Sequence, residues 1–121
     1  MRMLILAAVL GTTVFAQQSD EKVYKVGDPG VITPVLTHQV KPHYTADAMR
    51  RKVSGKVVLG AVVKTDGAVR DDVQVIESLD PDLDAEAVRV LKLWTFKPGT
   101  KGDKPVNVSV RIELTFVYRG P

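Results

Sequence analysis

The longest regular pattern of apolar and polar residues lies near the carboxy terminus of the chain. Every second residue from Val106 to Tyr118 is apolar, and the residues between them are mostly polar. A period of two predicts a β-strand that buries one face and exposes the other. Each fully buried member of this row contributes roughly 1.5–3 kcal/mol, so its burial is expected to be a main source of stability.

A second strand and a hairpin are predicted upstream. Residues 56–64 are apolar on both faces of an extended chain, which favours a central strand. Asp66 and Gly67 follow directly, and this pair tolerates the positive φ angles that tight hairpin turns need. The return strand is predicted over residues 68–77.

Two helices are predicted from capping residues and from apolar spacing. Thr45 is a candidate N-cap for a helix over residues 46–52. Asp80 is a candidate cap for the second helix, and Pro81 fits its first position. The buried stripe of the second helix is predicted at Leu83, Ala87, Val90 or Leu91, and Trp94. The side predicted to face water carries Glu86, Arg89 and Lys92.

The order helix, strand, strand, helix, strand predicts an α+β fold. A right-handed crossover places the last strand beside the first strand of the hairpin, antiparallel to it. The expected architecture is therefore two helices on one face of a three-stranded antiparallel sheet of order 2-1-3. In this arrangement the last strand forms an edge of the sheet.

The amino terminus has the pattern of a secretory signal peptide. Arg2 precedes an apolar run, and the small residue Ala16 precedes a polar segment. We expect residues 1–16 to be cleaved off and the protein to be periplasmic. The alternative is an inner-membrane anchor through an uncleaved amino terminus, although the run is shorter than the roughly 20 residues that span a bilayer. Residues 17–33 are predicted to be mobile or extended, and residues 34–119 to form the domain.

Composition narrows the candidate functions. The chain has 121 residues, no cysteine and two histidines, and 45% of its residues are hydrophobic, which suits one packed domain. The net charge of +3 arises from basic residues scattered among 14 acids, a pattern that does not indicate nucleic-acid binding. We find no nucleophile motif and no ligand spacing for a metal. The sequence therefore predicts a non-enzymatic protein with no catalytic, metal-binding or cofactor-binding residues.

Four segments, taken in order, resemble the TonB carboxy-terminal domain family. They are Pro42-His43-Tyr44 with Ala48, the hairpin from Gly55 to Val69, Ser78 with Leu83-Asp84 and Ala87, and Trp94-Thr95-Phe96-Lys97-Pro98-Gly99 with Pro105-Val106. The resemblance covers residues 34–118. Thr45 departs from it, since many members have proline there. Energy transducers of this family also carry an uncleaved membrane helix and a long proline-rich spacer. This sequence shows neither pattern, so we expect a stand-alone domain without a membrane anchor.

The resemblance implies a function in outer-membrane transport. TonB domains bind a short segment of outer-membrane receptors as an added strand, a mode in which backbone bonds give affinity and side-chain pockets give selectivity. The expected partner-binding residues are Val106, Asn107, Val108, Ser109, Val110, Arg111, Ile112, Glu113 and Leu114. Two alternatives remain open: Arg111, Glu113 and Arg119 form a charged guard of the edge, or the chain is an envelope module that forms a homodimer or binds peptidoglycan and has no role in transport.

Overall fold

A computed structural model of the chain describes residues 22–120. The predicted signal peptide, residues 1–16, lies outside the described residues. The helices are α1 (Ala46–Arg50) and α2 (Pro81–Leu91). The strands are β1 (Val23–Lys25), β2 (Val31–Ile32), β3 (Val35–His38), β4 (Gly55–Val63), β5 (Gln74–Glu77), β6 (Thr95–Lys97), β7 (Thr100–Lys101), β8 (Lys104–Pro105) and β9 (Asn107–Phe116).

The main sheet has four strands in the order β1-β9-β4-β5. The predicted mixed α+β class is confirmed, but the predicted three-stranded sheet is wrong. The three expected strands β5, β4 and β9 lie side by side, and β1 adds a fourth strand beside β9. Because β1 pairs with Asn107–Ser109, the expectation that the whole last strand forms an edge is also wrong. A strand of three residues has too little periodicity to be recognised in a sequence.

Two smaller sheets complete the fold. One contains β2, β7 and β8, and the other pairs β3 with β6. In the segment predicted to be mobile or extended, residues 23–25 and 31–32 are extended and paired with distant strands. The packing near β2 is close, because a Cβ on Gly99 would stand 2.8 Å from the carbonyl oxygen of Ile32.

The hydrophobic core lies on one face of the main sheet. Strands β4 and β9 are antiparallel in a continuous register that places Val57 opposite Leu114 and Val63 opposite Val108. Opposed residues of an antiparallel pair share a face. The buried residues of both helices belong to the same cluster as this face, so both helices cover it. These helical core residues are Ala48 of α1 and Leu83, Ala87, Val90 and Leu91 of α2.

The central position of β4 explains why both of its faces are apolar. On the face away from the helices, Val58 and Val62 are still buried. The side chain of Ile76 on β5 lies over Gly60, where an added Cβ would come within 3.0 Å of its Cδ1. The outer face is therefore partly closed by β5 and by neighbouring segments, without a helical layer.

Both helices begin at the residues that the sequence predicts. Thr45 accepts a hydrogen bond from the N–H of Ala48 through its side chain, which satisfies one free donor of α1. Asp80 does the same for the N–H groups of Asp82 and Leu83. Arg51 lies 2.8 Å from the carboxylate of Asp80, which is 6% exposed, and this ion pair connects the end of α1 to the start of α2. Helix α1 ends at Arg50, slightly before the predicted residue 52.

Candidate protein-binding edge

The backbone of β9 presents its hydrogen-bonding groups alternately to β4 and away from it. Tyr118 donates its N–H to Ser54 Oγ at 2.8 Å, and Ser54 directly precedes β4. The register between β4 and β9 has no shift. The even-numbered residues of β9, which alternate in step with Tyr118, therefore form the hydrogen-bonded pairs with β4. The backbone groups of Ser109, Arg111, Glu113 and Thr115 consequently point to the other side.

The first part of this other side is covered by β1. Val23 pairs with Asn107, and Lys25 pairs with Ser109, in parallel register. The amide Nδ2 of Asn107 also donates to the carbonyl oxygen of Lys22 at 3.2 Å. Asn107, Val108 and Ser109, three of the predicted partner-binding residues, are therefore flanked by strands of the same chain on the side that was expected to be open.

The second part of the edge is open. In the described part of the chain, no strand pairs with residues 110–116 on the side away from β4. The predicted partner-binding residues Val110, Arg111, Ile112, Glu113 and Leu114 all lie in this stretch. Val106 lies outside it, before β9, where its N–H donates to the carbonyl oxygen of Gly99. The predicted partner-binding residues up to Ser109 are therefore not on the open edge, and those after it are. The open stretch also continues past the last predicted residue to Thr115 and Phe116.

The charged side chains of the open stretch lie over the sheet face rather than along its edge. Arg111 and Glu113 share the outer face with Gly60 and Val58, their cross-strand neighbours. Glu113 lies 3.8 Å from Lys56 and 4.0 Å from Arg111, and all three side chains are about half exposed. Exposed ion pairs of this length contribute little to stability. Of the predicted charged guard, Arg111 and Glu113 therefore project over the outer face and not along the edge, and Arg119 lies beyond the end of β9.

A groove of about 360 Å³ borders the carboxy-terminal end of the open stretch. Its lining includes consecutive residues from both faces of β9 and none from β4, so it lies on the open side of the strand. One wall is the segment that follows β3. The lining residues are Gln39, Lys41, Pro42, Tyr44, Leu114, Thr115, Phe116, Val117 and Arg119. The lining combines aromatic and aliphatic residues with two cationic ones, Lys41 and Arg119.

Core residues hold the wall of this groove in place. The ring of Tyr44 meets that of Phe116 edge-on, with centroids 5.7 Å apart, and the Tyr44 hydroxyl donates to the carbonyl oxygen of Val53. The indole Nε1 of Trp94 donates to the carbonyl oxygen of Val40 at 2.8 Å. Trp94 is buried, as its predicted place in the core requires.

Glu86 of α2 fixes the same wall through the backbone. Its carboxylate accepts the N–H of His43 at 2.8 Å and forms two hydrogen bonds with the guanidinium of Arg89. The guanidinium beside it lowers the pKa of Glu86 to about 2, and the N–H of His43 contributes to this shift. Glu86 was predicted to face water, but its side chain is only 15% exposed. One partner, Arg89, is three residues away on the same helix, but the other, His43, is 43 residues away, so periodicity could not reveal that contact.

A second groove lies on the outer face of the sheet. It has a volume of about 500 Å³ and crosses the strands between Val26 and Ile76. Its lining includes Gly60, Val62, Arg70 and Asp72, and the last two form an ion pair 2.7 Å long. This groove is separate from the open edge but adjoins it at Arg111.

Other kinds of site find no support in the described residues. Residues 22–120 contain no group of three or more histidine, cysteine, aspartate or glutamate side chains that could hold a metal ion. Across the same residues, no helix has both the length and the apolar character needed to cross a membrane.

The fold and this edge define a small α+β domain with an open, groove-bordered strand in its main sheet. The model of the family described as "Gram-negative bacterial TonB protein C-terminal" matches residues 40–118, and the chain belongs to this family. The family is one of energy transducers and interaction proteins and is not a known enzyme family.

A relative and a solved structure agree with this assignment. Protein tonB2 of Pseudomonas aeruginosa is 36% identical over 80 residues, which cover 65% of this chain and 29% of that protein. The chain therefore matches less than a third of the length of tonB2. The solution NMR structure of the Pseudomonas aeruginosa TonB CTD has a TM-score of 0.60 and 24% identity, and the match covers 80% of this chain and 95% of that one. This second match supports the fold.

Proposed function

We propose that this chain is a periplasmic protein-binding module of TonB-dependent outer-membrane transport, and that it captures a partner segment as an added strand along residues 110–116 of β9. The observation that carries the proposal is the open edge itself. Arg111, Glu113 and Thr115 direct their backbone groups outward, and no described strand pairs with them. An unpaired edge of this length is a ready template for another polypeptide.

Membership of the TonB family supports the choice of partner. Members of this family interact with outer-membrane TonB-dependent receptors, so the expected partner is an extended segment of such a receptor. The predicted signal peptide, residues 1–16, supports a location where that segment is accessible. The added strand would form main-chain hydrogen bonds with β9 whatever its sequence, which supplies affinity without selectivity.

The groove at the end of β9 would supply the selectivity. A partner side chain pointing into it would contact residues of its lining, such as Tyr44. Within the described part of the chain, neither Lys41 nor Arg119 has a carboxylate within ion-pair distance. These cations favour a partner segment with an acidic residue next to an apolar one.

The proposal can be tested at Glu113. We expect Glu113→Pro to weaken binding at least about tenfold, since proline removes an outward donor and its ring obstructs an added strand. The donor is not used in pairing with β4, so the fold should persist, as a proline on an edge permits. The matched control is Glu113→Ala, which removes the same side chain but keeps the N–H. The measurement is NMR titration with synthetic peptides from the periplasmic amino-terminal segments of TonB-dependent receptors.

Two outcomes would count against the proposal. If Glu113→Pro is folded by circular dichroism and binds the peptides as tightly as Glu113→Ala, strand addition at this edge is excluded. If light scattering shows a tight dimer that protects residues 110–116 from hydrogen exchange, the edge serves self-association, which is the alternative left open by the sequence.

A further inference from the structure

Strand β1 is bound to the same side of β9 that the partner strand is proposed to use. The N–H of Lys25 donates to Asp28 Oδ2 at 2.8 Å, and the N–H of Asp28 donates to the carbonyl oxygen of Lys25 at 3.0 Å. The backbone groups of Lys25 are thus directed into a turn and away from β9. Because backbone groups alternate along a strand, those of Tyr24 face β9.

The contacts that hold β1 are few and near the surface. The pairing involves three residues of each strand, Val23–Lys25 and Asn107–Ser109. The centre of the Tyr24 ring lies near two ammonium groups, 4.8 Å from Lys22 Nζ and 5.1 Å from Lys101 Nζ. Cation–π contacts at exposed sites are weak. After Lys25 the chain leaves the edge through the turn at Asp28, so β1 ends where the open stretch begins.

We propose that β1 is an internal ligand of the partner-binding edge, which confines a bound partner strand to residues 110–116 and must detach before a longer partner can pair with Asn107–Ser109. This inference rests on the proposed function and adds a limit on the partner. A segment that pairs through about five residues fits beside β1, since each residue of a strand spans roughly 3.3 Å. A segment that pairs through about ten residues competes with β1 for the same backbone groups.

The competition has a simple quantitative form. The apparent affinity for a long partner is reduced by the fraction of molecules in which the first part of the edge is free. If that fraction is about one tenth, removal of β1 strengthens binding of a long peptide about tenfold and leaves a short peptide unaffected. The change in affinity of the long peptide, compared with that of the short peptide, therefore measures the effect of β1.

Two proline variants of the full chain separate β1 docking from other effects of proline. Tyr24→Pro removes a donor that faces β9 and should detach β1. Val23→Pro is the matched control, because the backbone groups of Val23 face away from β9 and proline is tolerated there on an edge strand. Hydrogen exchange of the Ser109 amide reports on docking directly: we expect protection in the wild type and in Val23→Pro, and exchange as fast as that of the Glu113 amide in Tyr24→Pro.

Binding is then measured with one receptor-derived synthetic peptide made at about ten and at about five residues. We expect the long peptide to bind Tyr24→Pro about tenfold more tightly than Val23→Pro, and the short peptide to bind both equally. Equal affinity of the long peptide for both variants, or an unprotected Ser109 amide in the wild type, would overturn the role of β1 and leave the proposed function standing. If neither peptide binds any variant, the proposed function fails and this inference fails with it.

Discussion

At the scale of single residues, Glu86 shows how one carboxylate shapes the candidate site without lining it. Glu86 lies on α2, yet it binds the backbone N–H of His43 in the segment that forms the wall of the groove. Arg89 completes the arrangement with two hydrogen bonds. The sequence predicted the caps Thr45 and Asp80 correctly, because capping depends on neighbours a few positions away. It could not predict the contact of Glu86, which depends on how the chain folds back.

The lowered pKa of Glu86 predicts a stability change in acid. A group whose pKa falls on folding stabilises the folded state above its unfolded pKa and loses that contribution as pH falls through the folded pKa. For Glu86 the window runs from 4.5 down to about 2. We expect thermal unfolding to show a steeper loss of stability across this window in the wild type than in Glu86→Gln. Identical pH profiles for the two proteins would show that this carboxylate is not coupled to folding.

At the scale of elements, the turn between β4 and β5 depends on a single glycine. Gly67 has φ +88°, and a Cβ there would stand 2.0 Å from the carbonyl oxygen of Phe96. The carbonyl oxygen of Gly67 in turn accepts the N–H of Phe96 at 2.9 Å. The turn is therefore fixed both by its own conformation and by β6, which lies against it.

We expect Gly67→Ala to be more destabilising than Gly27→Ala. Gly27 has a similar φ of +95°, but nothing lies within 4 Å of its added Cβ, so its substitution costs only the roughly 1–2 kcal/mol of the left-handed conformation. At Gly67 the contact with Phe96 adds to this cost, because the backbone must shift. Urea unfolding of both variants measures the difference in the free energy of unfolding, and equal values would contradict a close approach of β6.

Long, regular sequence patterns were sufficient to predict the strands that they form. The alternation from Val106 to Tyr118 and the apolar faces of residues 56–64 predicted β9 and β4, because long periodic segments specify their own conformation. The return strand was predicted over residues 68–77, but β5 covers only Gln74–Glu77. Arg70 and Asp72 bind each other in the gap, and the register with β4 shifts near Val58. Such irregularities, like the short strand β1, arise from tertiary pairing.

At the scale of the whole molecule, the two faces of the main sheet are unequal. The helices cover the face that carries Leu59, which is fully buried. The outer face is covered only in part, and Ile76 on β5 remains 54% exposed. We expect Leu59→Ala to lower the free energy of unfolding by about 2–5 kcal/mol, because it leaves a cavity in the core.

The matched substitution Ile76→Ala removes a similar side chain from the outer face. We expect it to cost about 1 kcal/mol or less, as exposed positions usually do. Chemical denaturation of both variants compares the two faces. A large effect of Ile76→Ala, comparable with that of Leu59→Ala, would mean that the outer face is a second core in solution.

The alternating direction of side chains along β9 also bears on how much the sequences of its partner segments can vary. Side chains of a paired strand point in turn to one face and then to the other. Only every second side chain of a partner segment would therefore reach the face that carries Tyr44 and Phe116, and the intervening ones would project over the opposite face. Partner segments whose sequences differ at alternate positions could therefore share one binding mode. Their relationship would be easier to detect from the spacing of the residues that reach this face than from overall sequence identity.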